Sequence, residues 1–195
     1  MNGPRLVLAS HNAHKVEELR RILGAALADI ELLGYDGPEP VEDGDSFAAN
    51  ALIKARAAHA HTGLPAIADD SGICVDALGG APGIHSARYA GSRVDRDNLE
   101  LLLANLGESH DRAARFVCAA ALVTDAGEHV ELAEWPGTIL RESAGAGGFG
   151  YDPVFKPDGL SVSAAELRPE EKNAISHRAL AFRALMPVVR ARLLA

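Results

Sequence analysis

A short apolar stretch, Leu64-Pro65-Ala66-Ile67, runs directly into Ala68-Asp69-Asp70-Ser71-Gly72. A β-like run that ends in two adjacent carboxylates, a hydroxyl and a glycine places acids at the mouth of a sheet, which is where open α/β sheets bind ligands. Neighbouring side chains in an extended segment point to opposite sides. One Asp is therefore free to face a ligand while the other turns into the scaffold. That pattern suits a hard cation such as Mg²⁺, which takes one or two carboxylates and leaves its other positions to water and substrate phosphate. The same five residues are also ordinary turn formers, so a plain polar turn between two short strands is the competing reading.

The remainder of the chain reads as alternating strands and helices. Arg5-Leu-Val-Leu-Ala9 is a buried strand, followed by Ser10-His11-Asn12 and a helix over Ala13 to Leu23, with apolar residues at helical spacing. Asp29 to Leu33 is a second strand, and Gly34 to Asp45 a loop rich in Gly, Pro and acids. Ser46 to Thr62 carries an alanine stripe at helical spacing and stops at Gly63. Leu64 to Ala68 and Ile73 to Val75 are expected as separate strands around the acidic loop. Asp95 to Leu106 is a helix, Arg115 to Thr124 and His129 to Trp135 form a hairpin, and Ile139 to Glu142 is a further short strand. The segment from Glu170 onward is helical with a break near Ile175. The 195 residues, 48% hydrophobic and 24% charged, fit one globular α/β domain with a mixed sheet.

Charge narrows the partners. The formal net charge is −8, which disfavours a nucleic-acid polymer, since polymer binding usually needs a basic face. A nucleotide remains possible, because a small anion needs only a local basic pocket. No apolar run approaches a membrane span; the longest is Val117 to Val123. Leu6-Val7-Leu8-Ala9 is too short for a signal-peptide core, and the expectation is a cytoplasmic protein. Cys74 and Cys118 lie in β-like runs and read as buried thiols.

Four further segments carry polar groups that could meet a nucleotide. Ser10-His11-Asn12-Ala13-His14-Lys15 places free backbone N–H groups and a lysine at a helix N-terminus, a setting that favours phosphate; an ordinary cap with a surface lysine is the alternative. Glu42 precedes the second helix, where an acid either serves the helix dipole or supplies a second metal carboxylate. Asn50 and Lys54 share one face of that helix, a face that could approach the same phosphate. Gly145-Ala-Gly-Gly-Phe149-Gly150-Tyr151-Asp152 sets a large ring among glycines, able to stack on a base, with Asp152 beside it to read base edges; a glycine-rich turn into a strand is the alternative. Lys172, His177 and Arg178 are three donors within seven residues, or else a solvated helix start. Arg178 only donates, so facing position 6 of a purine it would fit a 6-oxo base and mismatch the 6-amino group of adenine.

Taken together these pieces resemble the inosine triphosphate pyrophosphatase (Ham1-like) family. The matching segments are Ser10-His-Asn-Ala-His-Lys15, Ser46-Phe-Ala-Ala-Asn50-Ala-Leu-Ile-Lys54-Ala55, Ala68-Asp-Asp-Ser-Gly72, Pro82-Gly-Ile-His-Ser-Ala-Arg-Tyr-Ala-Gly91, Gly147-Gly-Phe-Gly-Tyr-Asp-Pro153, and Glu171-Lys172 with Ser176-His-Arg178. They occur in the family's order across nearly the whole chain. The resemblance implies an elongated mixed sheet flanked by helices, with two lobes around a nucleotide-binding cleft in a single domain over residues 1–195, and a homodimer. It implies Mg²⁺-dependent hydrolysis of ITP, dITP and XTP to the monophosphate and pyrophosphate, with attack at the α-phosphorus. By matching positions it makes Asp70 the proton acceptor and a metal ligand, and Glu42 the second metal ligand. It gives substrate contacts to Ser10, His11, Asn12, Ala13, His14, Lys15, Lys54, Ser71, Phe149, Gly150, Tyr151, Asp152, Lys172, His177 and Arg178. His11 departs from the Gly or Asn that members often carry there. Two other functions remain in view: a Maf-like pyrophosphatase acting on modified pyrimidine nucleotides, and a nucleotide-binding module without turnover.

Overall fold

A computed structural model describes residues 3–11 and 13–194, with the side chains of 13–15 outside the description. The chain forms six strands and five α-helices among the described residues. In chain order these are β1 (Arg5–Leu8), α1 (Ala13–Leu23), β2 (Glu31–Gly34), α2 (Phe47–Thr62), β3 (Ala66–Val75), α3 (Asp95–Leu106), β4 (Ala113–Thr124), β5 (Gly127–Ile139), β6 (Phe155–Pro157), α4 (Pro169–Ile175) and α5 (His177–Leu193). The strands follow the order β2-β1-β3-β4-β5-β6 in one sheet. β1 runs parallel to β2 and to β3, whereas β5 and β6 are antiparallel. The sheet is therefore mixed, as the alternation of strands and helices followed by a hairpin requires.

Two compact units divide the chain. The first comprises Met1–Asp70, Cys118–Ala133 and Arg178–Ala195; the second comprises Ser71–Val117 and Glu134–His177.

In the first unit, Leu6, Leu8, Ile67, Cys118, Ala120 and Leu122 bury one face against Leu19 and Leu23 of α1 and Phe182, Leu185 and Val189 of α5. Val7, Ala66, Ala68, Ala119 and Ala121 bury the other against Ala51, Ala55 and Ala58 of α2. Period-two alternation in β1 and β4 thus feeds two layers of helix, the reason these strands read as continuous apolar runs. Alanine at 51, 55 and 58 supplies a low, flat helix face on which the sheet sits. Ser46 starts α2 by accepting a hydrogen bond from the Ala49 amide at 3.2 Å, and Gly63 ends it with a φ of 67°, the left-handed conformation that glycine adopts without a Cβ penalty.

The second unit has its own core of Ile73, Val75, Leu99, Leu102, Phe116, Trp135, Ile139, Tyr151, Val154 and Phe155. Arg112 braces it: its buried guanidinium donates to the carbonyls of Gly107, Ile139 and Leu140, tying the end of α3 to β5.

Several boundaries differ from the sequence expectation. The acidic segment is not a turn between two strands: β3 is continuous over Ala66–Val75, so Asp69, Asp70 and Ser71 lie inside it. The two acids are tolerated inside a buried strand because each meets a cation from a helix, Asp69 from Arg178 and Asp70 from Lys54. Ile139 closes β5 and no separate strand follows it, whereas β6 forms at Phe155–Pro157, in a stretch the periodicity had left unassigned. The break in the C-terminal helical region falls at Ser176. Both cysteines are buried and reduced, and burial pushes the Cys74 thiol upward in pKa.

Candidate active site

Asp69 and Asp70 are adjacent on β3 and take different partners, as alternation along an extended strand dictates. Asp69, 3% exposed, accepts from Nε of Arg178 at 3.3 Å. The same guanidinium donates through its other arm to Glu18 of α1. Burial alone works against the Arg178 charge, yet the fields of Asp69 and Glu18 outweigh it and drive the pKa further upward. Arg178 is thus a closed, fully charged strut joining β3, α1 and α5.

Asp70 turns to α2. Its Oδ1 lies 3.2 Å from Nζ of Lys54, and its Oδ2 accepts from Nδ2 of Asn50 at 3.3 Å. Lys54 Nζ also reaches Oε2 of Glu42 at 3.2 Å. Burial disfavours the Lys54 ammonium, but Asp70, Asp69 and Glu42 together more than offset this and raise its pKa. One ammonium therefore bridges the two carboxylates that the resemblance assigns to a metal. Asn50 and Lys54 sit one turn apart on α2, and both meet Asp70 because i and i+4 share a helix face.

The chemistry of this donor set fits Mg²⁺. Two carboxylate oxygens converge on a single cationic centre, and a hard divalent ion needs no more than one or two carboxylates when water and phosphate fill the rest. Among the described residues no three His, Cys, Asp or Glu side chains come together as a protein-only metal cage.

The other expected phosphate contacts are only partly placed. Ser10 is half-buried at the end of β1, and its amide donates to the Leu8 carbonyl at 2.9 Å. His11 is exposed, with Nε2 3.0 Å from the Gly37 carbonyl and its ring 5.4 Å from that of Tyr35. Asn12 and the side chains of Ala13, His14 and Lys15 lie outside the described residues.

The second unit holds a separate constellation. Asp152 is 2% exposed and its Oδ2 accepts from Nζ of Lys172 at 2.7 Å and from the amide of Phe149 at 2.8 Å. Lys172 Nζ lies 4.9 Å from the centroid of the half-buried Phe149 ring. One carboxylate thus fixes both the cation and the backbone beneath the ring. The loop itself is anchored where the amide of Gly150 donates to Asp95 at 2.7 Å. Tyr151 donates to the Ser86 carbonyl at 2.8 Å, and burial raises its phenol pKa. Ser71 is half-buried on β3. His177 is closed in an aromatic stack, parallel to Phe116 at 4.7 Å and beside Trp135 at 6.2 Å.

Within the first unit, then, the structure brings Asp70, Glu42 and Lys54 together; within the second it brings Phe149, Asp152 and Lys172 together. His177 and Arg178, read from sequence as donors toward a base, sit at the start of α5, His177 stacked on Phe116 and Arg178 paired with Asp69 and Glu18. Sequence reasoning undervalued Glu18 and Asn50. An acid one turn and a half into α1 looks like a surface charge, and Asn50 looks like a phosphate contact until its partners are seen.

Comparison with known proteins identifies the family of this chain. The model of the Ham1 family matches residues 6–188. A dITP/XTP pyrophosphatase of Leifsonia xyli is 59% identical over 191 residues, covering 96% of each chain. The dITP/XTP pyrophosphatase of Streptomyces coelicolor is 54% identical, covering 95% of this chain and 97% of its own. The solved HAM1 protein of Coxiella burnetii superposes with a TM-score of 0.88 at 41% identity, covering 96% of this chain and 99% of its own. With a family match spanning nearly the whole length and relatives above half identity, this chain belongs to the Ham1 family.

Proposed function

We propose that this protein hydrolyses non-standard purine nucleoside triphosphates, dITP, XTP and ITP, to the monophosphate and pyrophosphate, and so clears them from the nucleotide pool. The observation that carries the reading is the Glu42–Lys54–Asp70 bridge, found in a chain whose relatives bear the name dITP/XTP pyrophosphatase. A triphosphate brings close to four negative charges to a chain of net charge −8, so binding needs converging cations.

Asp70 and Glu42 would hold Mg²⁺, which when bound neutralises charge on the phosphate oxygens and lowers the pKa of water. Asp70 takes the proton of the attacking water, for which a carboxylate at the metal edge is suited. Lys54 remains protonated and turns from bridging two acids to meeting phosphate oxygen. The start of α1 would offer backbone N–H groups to the phosphate chain, with Ser10 just ahead of it, and Ser71 would offer a hydroxyl. Phe149 stacks on the purine, Gly150, Tyr151 and Asp152 shape the loop that meets its edge, and Lys172 holds that loop through Asp152. His177 and Arg178 would contact the nucleotide from the start of α5, where stacking on Phe116 orients the imidazole and Asp69 and Glu18 orient the guanidinium. The single domain acts as a homodimer in the cytoplasm. No helix among the described residues is long and apolar enough to cross a membrane.

A substrate panel tests the reading. Purified protein with Mg²⁺ is expected to release pyrophosphate from dITP, XTP and ITP and far less from ATP, dTTP and UTP. Preference for dTTP or UTP would favour a Maf-like enzyme, and binding without turnover would favour a regulatory module.

A further inference from the structure

Asn50 is 1% exposed and sits between the two acidic segments of the first unit. Its Oδ1 accepts from the amide of Gly44 at 2.9 Å, and its Nδ2 donates to Oδ2 of Asp70 at 3.3 Å. The chemistry fixes which end of the amide faces which way. Turned over, the amide nitrogen would face a backbone N–H and the amide oxygen would face a carboxylate, two repulsive contacts in place of two attractive ones. An ionised Asp only accepts, and Leu does neither.

Two consequences follow from these two bonds. Both oxygens of Asp70 are engaged, Oδ2 by neutral Asn50 and Oδ1 by cationic Lys54, so the carboxylate plane is set rather than free to rotate. The loop bearing Glu42 is pinned twice from α2, at Glu42 by Lys54 and at Gly44 by Asn50. These ties differ in kind. Lys54 is drawn to any phosphate that enters, whereas Asn50 carries no charge and has no reason to follow it. Gly44 is shaped to this contact: a Cβ there would stand 2.7 Å from Asn50 Oδ1 and 2.8 Å from the Ala49 Cβ. Gly44 is glycine for room and not for a left-handed backbone.

We propose that Asn50 is a positioning residue that presents Oδ1 of Asp70 and the carboxylate of Glu42 to one divalent cation, and that it keeps them in place when Lys54 is redirected to phosphate. The proposal rests on the metal-dependent pyrophosphatase reading above. Groups that orient metal ligands through hydrogen bonds are typically worth 10–100-fold in metal affinity or activity.

The test compares wild type with Asn50→Ala, which removes both bonds, and Gly44→Ala, whose Cβ crowds Asn50 Oδ1 and the Ala49 Cβ from the loop side while keeping the Asn50 side chain. Three quantities are read: the Kd for Mn²⁺ alone by electron paramagnetic resonance, kcat and KM for ITP at saturating Mg²⁺, and the thermal midpoint. In both variants the Mn²⁺ Kd is expected to rise about tenfold or more and kcat to fall about tenfold or more, with KM moving less than about threefold, the mark of a transition-state effect rather than lost substrate binding. A lower thermal midpoint with Mn²⁺ affinity and kcat at the wild-type level would make Asn50 a structural cap and overturn the proposal. Should Asn50→Ala fail to fold, Gly44→Ala decides alone, because it lies in a loop outside every helix and strand. If wild type releases no pyrophosphate, the functional reading fails by itself, while the Mn²⁺ titrations still decide whether Asn50 sets the cation site.

Discussion

Asp69 and Asp70 are consecutive on β3, yet Asp69 accepts from Arg178 at 3.3 Å while Asp70 lies 3.2 Å from the ammonium of Lys54. The first pair is closed to solvent, its side chains 1% and 2% exposed; the second is more open, at 11% and 12%. On the proposed reading that difference divides the labour of the two acids, with Asp69 as the brace and Asp70 as the acid that serves the chemistry.

Substitution should separate the two roles. Asp70→Asn is expected to fold, to bind nucleotide, and to lose about 10³-fold or more in kcat, the combined loss of a general base and a metal ligand. Asp69→Ala is expected to act on stability, by about 3–5 kcal/mol, because it leaves a buried guanidinium short of a partner. Urea unfolding beside single-turnover kinetics checks both. A folded Asp70→Asn with wild-type kcat would remove Asp70 from the chemistry.

Arg178→Ala strips the shared partner from Asp69 and Glu18. The expected result is again a loss of about 3–5 kcal/mol of stability, with kcat/KM for ITP and for ATP falling by a common factor. A base-reading guanidinium predicts otherwise: the ITP/ATP ratio would shrink about tenfold, since 1.4 kcal/mol is one decade. Measuring both ratios at a temperature well below the variant's midpoint distinguishes a brace from a base contact.

The Phe149 ring is half-buried, with the Lys172 ammonium 4.9 Å from its centroid. Phe149→Ala should weaken nucleotide binding by about 1–3 kcal/mol, equally for ITP and XTP, because stacking is tolerant of base edges. The thermal midpoint should move little. Unchanged KM for both nucleotides would reduce the ring to packing.

The Lys54 pKa is raised by Asp70, Asp69 and Glu42 against the opposing effect of burial. A raised base pKa contributes stability that is fully present below its unfolded value, about 10.4, and is lost as pH rises through the higher folded value. The difference in thermal midpoint between wild type and Lys54→Met should therefore be flat from neutral pH to about pH 10 and shrink only above it. A difference that declines between pH 6 and 8 would contradict the bridge.

How far the sequence alone reaches is instructive residue by residue. β1, β4, the alanine face of α2 and its stop at Gly63 were legible because apolar period and a terminating glycine are local signals. The acidic run of β3 was misread as a turn because Asp, Ser and Gly favour turns in isolation; its cations come from Lys54 and Arg178, the latter 109 residues away. β6 is three residues long, too short for any period to show. For Glu42 the sequence left a helix-dipole acid and a second metal carboxylate both open, the resemblance favoured the second, and the ammonium between Glu42 and Asp70 appears only in three dimensions. For Arg178 the donor chemistry was legible in the sequence, whereas its pairs with Glu18 and Asp69 appear only in the fold.

The most direct test of the account follows the oxygen of water. ITP hydrolysed in ¹⁸O-water with Mg²⁺ should yield inosine monophosphate carrying the label and unlabelled pyrophosphate, because the water that loses its proton to Asp70 bonds to the α-phosphorus and pyrophosphate leaves. The label is read by mass spectrometry of both products. Label in pyrophosphate, or release of labelled orthophosphate, would contradict the central claim.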